Sequence, residues 1–200
     1  VTSLGGVEFR VDEWDIDVAY SGAQKCLSCP PGASPLTLND RTMEKVLNRD
    51  TEVRSWYLDL SLLEGYWGDD RSYHHTAPIT NIYALREALQ LVAEEGLEAR
   101  WERHEAMATQ LKQGLEALGL ELNPEDEYWL PSLNAVRIPD GIDESALLSD
   151  MQADHNLEVA SGLGDLEGEI IRIGCMGYSA RTSNIELVLY ALEDALRNQG

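Results

Sequence analysis

Ser21-Gly22-Ala23-Gln24-Lys25-Cys26-Leu27-Ser28-Cys29-Pro30-Pro31-Gly32 decides how this chain is read. The chain has only three lysines, Lys25, Lys45 and Lys112, against twelve arginines. Lys25 follows an apolar, strand-like segment, Ile16–Tyr20, and precedes a rigid Pro-Pro-Gly turn. An amine at the mouth of a buried strand is poorly placed for solubility. It is well placed for covalent chemistry, because desolvation lowers an ammonium pKa and frees a nucleophile. The plain alternative is a solvated lysine at a strand-to-loop junction.

Working outward, Ser34–Leu38 reads as the next strand, and Asn39-Asp40 opens a helix through about Asn48. Residues 50–80 are aromatic and irregular, with Trp56, Tyr57, Tyr66, Trp67 and Tyr73. That length and stickiness predict a functional or interface segment. From Ile79 the spacing turns helical, with Ile82, Leu85, Leu89 and Val92 on one stripe. Gly96 interrupts it. A second helix runs from Leu97 to Leu118, with Trp101, Met107, Leu111, Leu115 and Leu118 apolar and Gly119 closing it.

A smaller α/β unit follows. Leu133–Ile138, Leu157–Ala160 and Glu169–Gly174 read as strands. Asp143 caps a helix to about Asp154, and Ser183-x-x-Glu186 is a capping box opening the last helix. The fold class is α/β, divided near Gly96 into residues 1–96 and 97–200.

Thirty-six acids against fifteen bases give a net charge of −21. Such a field repels nucleic acid and anionic membrane surfaces, and no apolar run of ~18 residues is present to span a bilayer. An acidic, lysine-poor composition also suits a high-salt medium, where screening removes self-repulsion. Three cysteines make no disulfide framework, which points to a reducing cytoplasm. Cys26-x-x-Cys29 imitates a redox motif, but Pro30-Pro31 stands where a helix should start.

Two other groups attract attention. Tyr73-His74-His75-Thr76 suggests a metal, but adjacent residues on a strand point apart, so no metal site is expected. Arg172 lies within Ile170-Ile171-Arg172-Ile173-Gly174. A guanidinium on a buried strand keeps its proton and needs an anion, either a structural carboxylate or a ligand's.

The lysine segment resembles the cofactor-lysine segment of class V aminotransferases, in particular the alanine–glyoxylate and serine–pyruvate group. Ser3-Leu4-Gly5-Gly6, Tyr57-Leu58-Asp59, Tyr73-His74-His75-Thr76, Leu85-Arg86-Glu87-Ala88-Leu89 and Ile171-Arg172-Ile173-Gly174 resemble further landmarks, in the family's order. The resemblance implies a pyridoxal-phosphate enzyme of fold type I. Residues 1–96 would be the C-terminal part of its large domain and residues 97–200 its small domain. The enzyme would be a homodimer with sites at the subunit interface.

It implies that Lys25 binds the cofactor covalently and moves the proton at the substrate Cα. Gln24 would donate to the cofactor phosphate, while Tyr73 and Thr76 would reach the phosphate of the partner's cofactor. Arg172 would hold the carboxylate of the amino or oxo acid. Residue 1 opens inside an apparent structural phrase, so the chain reads as a fragment. The acid facing the pyridine nitrogen would lie just before Val1. The implied reaction is transamination between alanine or serine and glyoxylate or pyruvate. Ureidoglycine–glyoxylate transamination is the alternative, and a non-catalytic dimerisation partner is a rival of another kind. A sulfur-removing lyase of the same class would need a reactive cysteine on a mobile loop, and Cys175 is poorly placed for that.

Overall fold

The computed structural model describes residues 1–200. The first unit begins with a two-stranded antiparallel ribbon, β1 (Val18–Tyr20) and β2 (Leu36–Leu38), with Ala19 opposite Thr37. The expected burial of this strand is not met. Tyr20 is 69% exposed, because β2 alone pairs with β1 and no element of the chain covers it. Helix α1 (Asp40–Leu47) starts where Asn39 accepts a hydrogen bond from the Thr42 amide at 2.9 Å.

Residues 50–80 are less irregular than expected. A 3₁₀ turn, Trp56–Leu58, leads into helix α2 (Leu60–Trp67). Asp59 caps that helix by accepting from the Ser61 amide at 3.0 Å. An Asp at the N-cap compensates for a segment with Gly65 inside it.

Helices α3 (Ile79–Glu95) and α4 (Leu97–Ala117) meet at Gly96, whose φ of +84° only glycine adopts freely. The buried face of α3 carries Ala88 and Val92, with Leu89 left exposed, so the stripe is rotated from the expected one. The buried face of α4 is Arg100, His104, Ala108, Leu111 and Leu115. Its spacing is helical, but its first two members are polar.

The second unit is a three-stranded antiparallel sheet in the order β3 (Leu133–Arg137), β5 (Ile170–Gly174), β4 (Ala160–Ser161). The strand expected at 157–160 forms only at Ala160–Ser161. Helices α5 (Glu144–His155) and α6 (Thr182–Arg197) pack together, and α6 also packs on α4. Asp143 caps α5 as expected, accepting from the Ala146 amide at 2.8 Å. The capping box at Ser183 does not form. Arg181 occupies the N-cap of α6, no side chain caps it, and Ser183 lies inside the first turn.

Two hydrophobic clusters result. The larger draws on Leu111, Leu115, Val136, Leu147, Ile171, Leu192 and their neighbours, all within residues 108–195. The smaller holds Ala23, Cys29 and Ala88. We propose the division into residues 1–96 and 97–200 on this separation. The first turns of α4 nevertheless reach back to the first unit through Arg100, which donates to the Gly5 carbonyl at 2.8 Å.

Candidate active site

The loop after β1 presents Lys25 through a chain of local bonds. The Ser21 amide donates to the Pro35 carbonyl at 3.0 Å, and the Cys29 amide to the Ala23 carbonyl at 3.1 Å. The first residues of the chain are pinned against this loop. Ser21 Oγ donates to the Val1 carbonyl at 2.8 Å, and Cys26 Sγ to the Thr2 carbonyl at 3.1 Å. Gly6 lets the two segments touch, since a Cβ there would stand 2.4 Å from Cys26 Sγ.

Lys25 lines a cleft of about 640 Å³ together with Thr2, Leu133, Val159, Ala160, Arg172, Gly174 and Met176. Lys25 and Arg172 thus face one space, although they come from different halves of the chain. Arg172 sits on the central strand, opposite Ala135 on one side and Ala160 on the other. Cross-strand partners share a face, so two alanines leave the guanidinium room to extend. The neighbouring Ile171 and Ile173 point the other way into the core.

Arg172 is half-buried rather than buried. Its Nε donates to the Ser161 carbonyl at 2.7 Å, which orients the fork. No ion pair of the chain includes Arg172 or Lys25. The structural carboxylate that could have matched Arg172 is therefore absent, despite a net charge of −21. An unpaired amine and an unpaired guanidinium on one cleft are a donor set for an anionic ligand bearing a carbonyl.

Other expected site residues lie elsewhere. Gln24 is exposed and folds over Gly22, where a Cβ would meet its Oε1 at 2.6 Å. Val1 is held by Ser21, and its neighbour Thr2 forms the cleft wall. Tyr73, 77% exposed, shares a hydrogen bond with Thr76 Oγ1 at 3.0 Å, and neither lines the Lys25 cleft. The two histidines between them do not point apart as a strand would require. His74 stacks on Trp56 at 4.0 Å and its Nδ1 meets His75 Nδ1 at 2.8 Å. They lie in a loop, so strand alternation does not apply.

The cysteines are free and buried. Burial pushes the Cys175 thiol up to about 11 and raises those of Cys26 and Cys29. A thiol held protonated and 1% exposed is no nucleophile, which weighs against the sulfur-removing reading.

The polar start of the α4 stripe escaped the sequence reading. Glu95, Arg100, Arg103 and His104 gather behind the Lys25 loop. The signal was present in the heptad-like spacing of Arg100 and His104 with Ala108, Leu111 and Leu115. Charged side chains favour the solvent face, so composition alone hides two polar members of a buried stripe.

The cleft thus brings a free lysine and a free arginine together on an α/β scaffold. The sequence profile of the class V aminotransferases matches residues 1–166, and the chain belongs to that family. It is 42% identical over 98% of its length to (S)-ureidoglycine–glyoxylate transaminase of Bacillus subtilis, of which it covers 51%. It is 41% identical to alanine–glyoxylate aminotransferase of Callithrix jacchus, covering 99% of this chain and 49% of that one. A solved alanine–glyoxylate aminotransferase from Nostoc sp. superposes with a TM-score of 0.96 at 50% identity, over 98% of this chain and 52% of that one. The expected α/β fold of the type I aminotransferases therefore stands. The chain spans about half the length of the curated relatives it matches.

Proposed function

We propose that this chain carries the cofactor lysine and the carboxylate-binding arginine of a pyridoxal-phosphate-dependent transaminase. Its reaction moves an amino group between a small amino acid, alanine or serine, and glyoxylate or pyruvate. The observation that carries this reading is the cleft shared by Lys25 and Arg172, with neither side chain neutralised. The residues fit the cofactor, because the Lys25 amine has no protein partner and can take a carbonyl. Pyridoxal phosphate, when bound, supplies the electron sink for charge developing at the substrate Cα.

The chain's own groups do the rest. Arg172 would donate its fork to the substrate carboxylate and orient the Cα–H toward the lysine. The Lys25 amine would take and return the proton at the substrate Cα. Both relatives named above carry glyoxylate in their names, which supports glyoxylate as the oxo acid. Ureidoglycine is the alternative donor on the same observation.

The exposed pair Tyr73–Thr76 supports a homodimer in which both hydroxyls reach the partner's cofactor phosphate. Free cysteines support a reducing, cytoplasmic setting. No helix is long and apolar enough to cross a membrane.

The test is the absorbance of the intact protein with added pyridoxal phosphate. A yellow, lysine-dependent chromophore is expected, and Lys25→Ala should abolish it. Turnover of alanine with glyoxylate should fall on the order of 10³-fold or more in that variant. A colourless wild type would favour the non-catalytic partner instead.

A further inference from the structure

Four side chains at the α3–α4 junction have no part in that chemistry. Glu95 Oε2 accepts from Arg100 Nη1 at 2.6 Å, and its Oε1 accepts from Arg103 Nε at 2.5 Å. Arg100, 5% exposed, also donates to the carbonyls of Gly5 at 2.8 Å and Cys26 at 2.6 Å. Arg103 donates to the carbonyls of Gly177 at 3.0 Å and Ala180 at 2.9 Å. His104, 0% exposed, donates from Nδ1 to the Arg100 carbonyl at 2.7 Å and accepts at Nε2 from the Gly177 amide at 2.8 Å.

Two of the segments held in this way border the site: the Cys26 carbonyl lies in the loop that carries Lys25, and Gly177 and Ala180 lie in the loop that follows the strand of Arg172. Cys26 is the residue after Lys25. Gly177 lies in the loop leaving β5, just past Arg172 and beside Met176 on the cleft wall. The two loops also touch directly, since Ser28 Oγ accepts from the Tyr178 amide at 2.7 Å. Arg100 is buried and Glu95 and Arg103 are partly so, and ion pairs in such a setting are a weak source of stability, because desolvation offsets their attraction. What apolar side chains cannot do is grip carbonyls and an amide from two loops at once.

We propose that the Glu95–Arg100–Arg103–His104 knot is a positioning device that sets the span between the Lys25 amine and the Arg172 guanidinium. Substrate must bridge that span, with its carboxylate on Arg172 and its Cα near Lys25. The knot couples the two loops, so loosening one end displaces both. The kinetic consequence rests on the transaminase reading above, whereas the coupling itself does not.

The experiment uses the full-length, cofactor-loaded protein and compares Arg103→Gln with Met151→Ala. Met151 is fully buried in the larger core, away from the knot, and calibrates for lost stability alone. Both are assayed well below their melting temperatures. Arg103→Gln should raise KM for amino acid and oxo acid about tenfold or more, as displacement of the Arg172 carboxylate anchor would, and Met151→Ala should not. His104→Leu, which lacks an acceptor for the Gly177 amide, should behave like Arg103→Gln. His104→Gln, which keeps one, should restore KM.

Amide hydrogen exchange supplies the second readout. In Arg103→Gln, exchange should quicken at residues 26–28 as well as at 177–180, although Arg103 hydrogen-bonds only to the latter. Faster exchange at 177–180 alone would show two independent contacts and overturn the coupling. Equal melting losses in Arg103→Gln and Met151→Ala with equal KM would overturn the positioning role. A wild type without transaminase activity would defeat the transaminase reading, and the exchange pattern would still decide the knot.

Discussion

Gly177 donates its amide proton to His104 Nε2 at 2.8 Å, across 73 residues of sequence. The other ring nitrogen faces the Arg100 carbonyl at 2.7 Å, and a carbonyl only accepts. The two bonds together define a neutral imidazole protonated at Nδ1. Burial first, and then the charges of Arg103 and Arg100, lower the pKa of this ring below its ordinary 6.5.

A pH dependence of stability follows from that depressed value. The unfolded chain takes up a proton near 6.5 that the folded ring refuses. Stability from His104 is therefore full above 6.5 and declines as pH falls through the range below it. Melting temperature should drop less between about pH 7.5 and about pH 5.5 in His104→Gln than in wild type. Glu95 acts in a separate window. Hydrogen bonds first from Arg103, and secondarily from Arg100, hold its carboxyl at about 2, so its contribution is present above 4.5 and lost as pH falls toward 2. Equal slopes for both proteins above pH 5 would refute the His104 assignment.

Arg172→Lys keeps a charge on the cleft but loses the planar fork and the Nε bond to Ser161. KM should rise for amino acid and oxo acid alike, with cofactor absorbance intact. The loss of such a pair is worth about 2–5 kcal/mol, or about thirty- to several-thousand-fold in kcat/KM. Steady-state kinetics beside a melting curve check this. Unchanged kinetics with lowered stability would make Arg172 a scaffold residue.

Hybrid dimers test whether Tyr73 and Thr76 serve the other subunit. Mixing Lys25→Ala subunits with Thr76→Ala subunits should restore activity, because one site of each hybrid then carries neither change. Activity that stays at the level of the parents would place Thr76 at its own subunit's lysine.

Gly177→Ala should be severe. Its φ is +55°, and a Cβ would stand 1.8 Å from Ser28 Oγ and 2.7 Å from the Cys26 carbonyl oxygen. Strain in the left-handed region adds roughly 1–2 kcal/mol to that clash. Both melting temperature and kcat/KM should fall. Gly119→Ala is the comparison, since its φ is +79° but no atom lies within 4 Å of the added Cβ. It should lose stability while leaving KM unchanged.

The sequence by itself determined the elements whose cause is local. Helices α3 and α4 were legible because Gly96 parts two long 3.6-residue patterns, and α5 because Asp143 supplies its cap. The lysine segment and the Arg172 strand were legible because small residues, prolines and an isoleucine run punctuate them within a few positions. Helix α2 is not legible in the sequence, because aromatic residues and Gly65 obscure its period despite the cap at Asp59.

Only the tertiary structure decided that Lys25 and Arg172 share a cleft, and that Arg172 has no carboxylate of its own. It alone assembled Arg100 with Gly5 and Cys26, and His104 with Gly177, at separations of 95, 74 and 73 residues. The physical reason is one of range. Capping and helical periodicity act over a few residues and leave a pattern in the chain, whereas a buried hydrogen bond between distant loops leaves none. Arg100 and His104 look like solvent-facing residues until Gly5, Cys26 and Gly177 close over them.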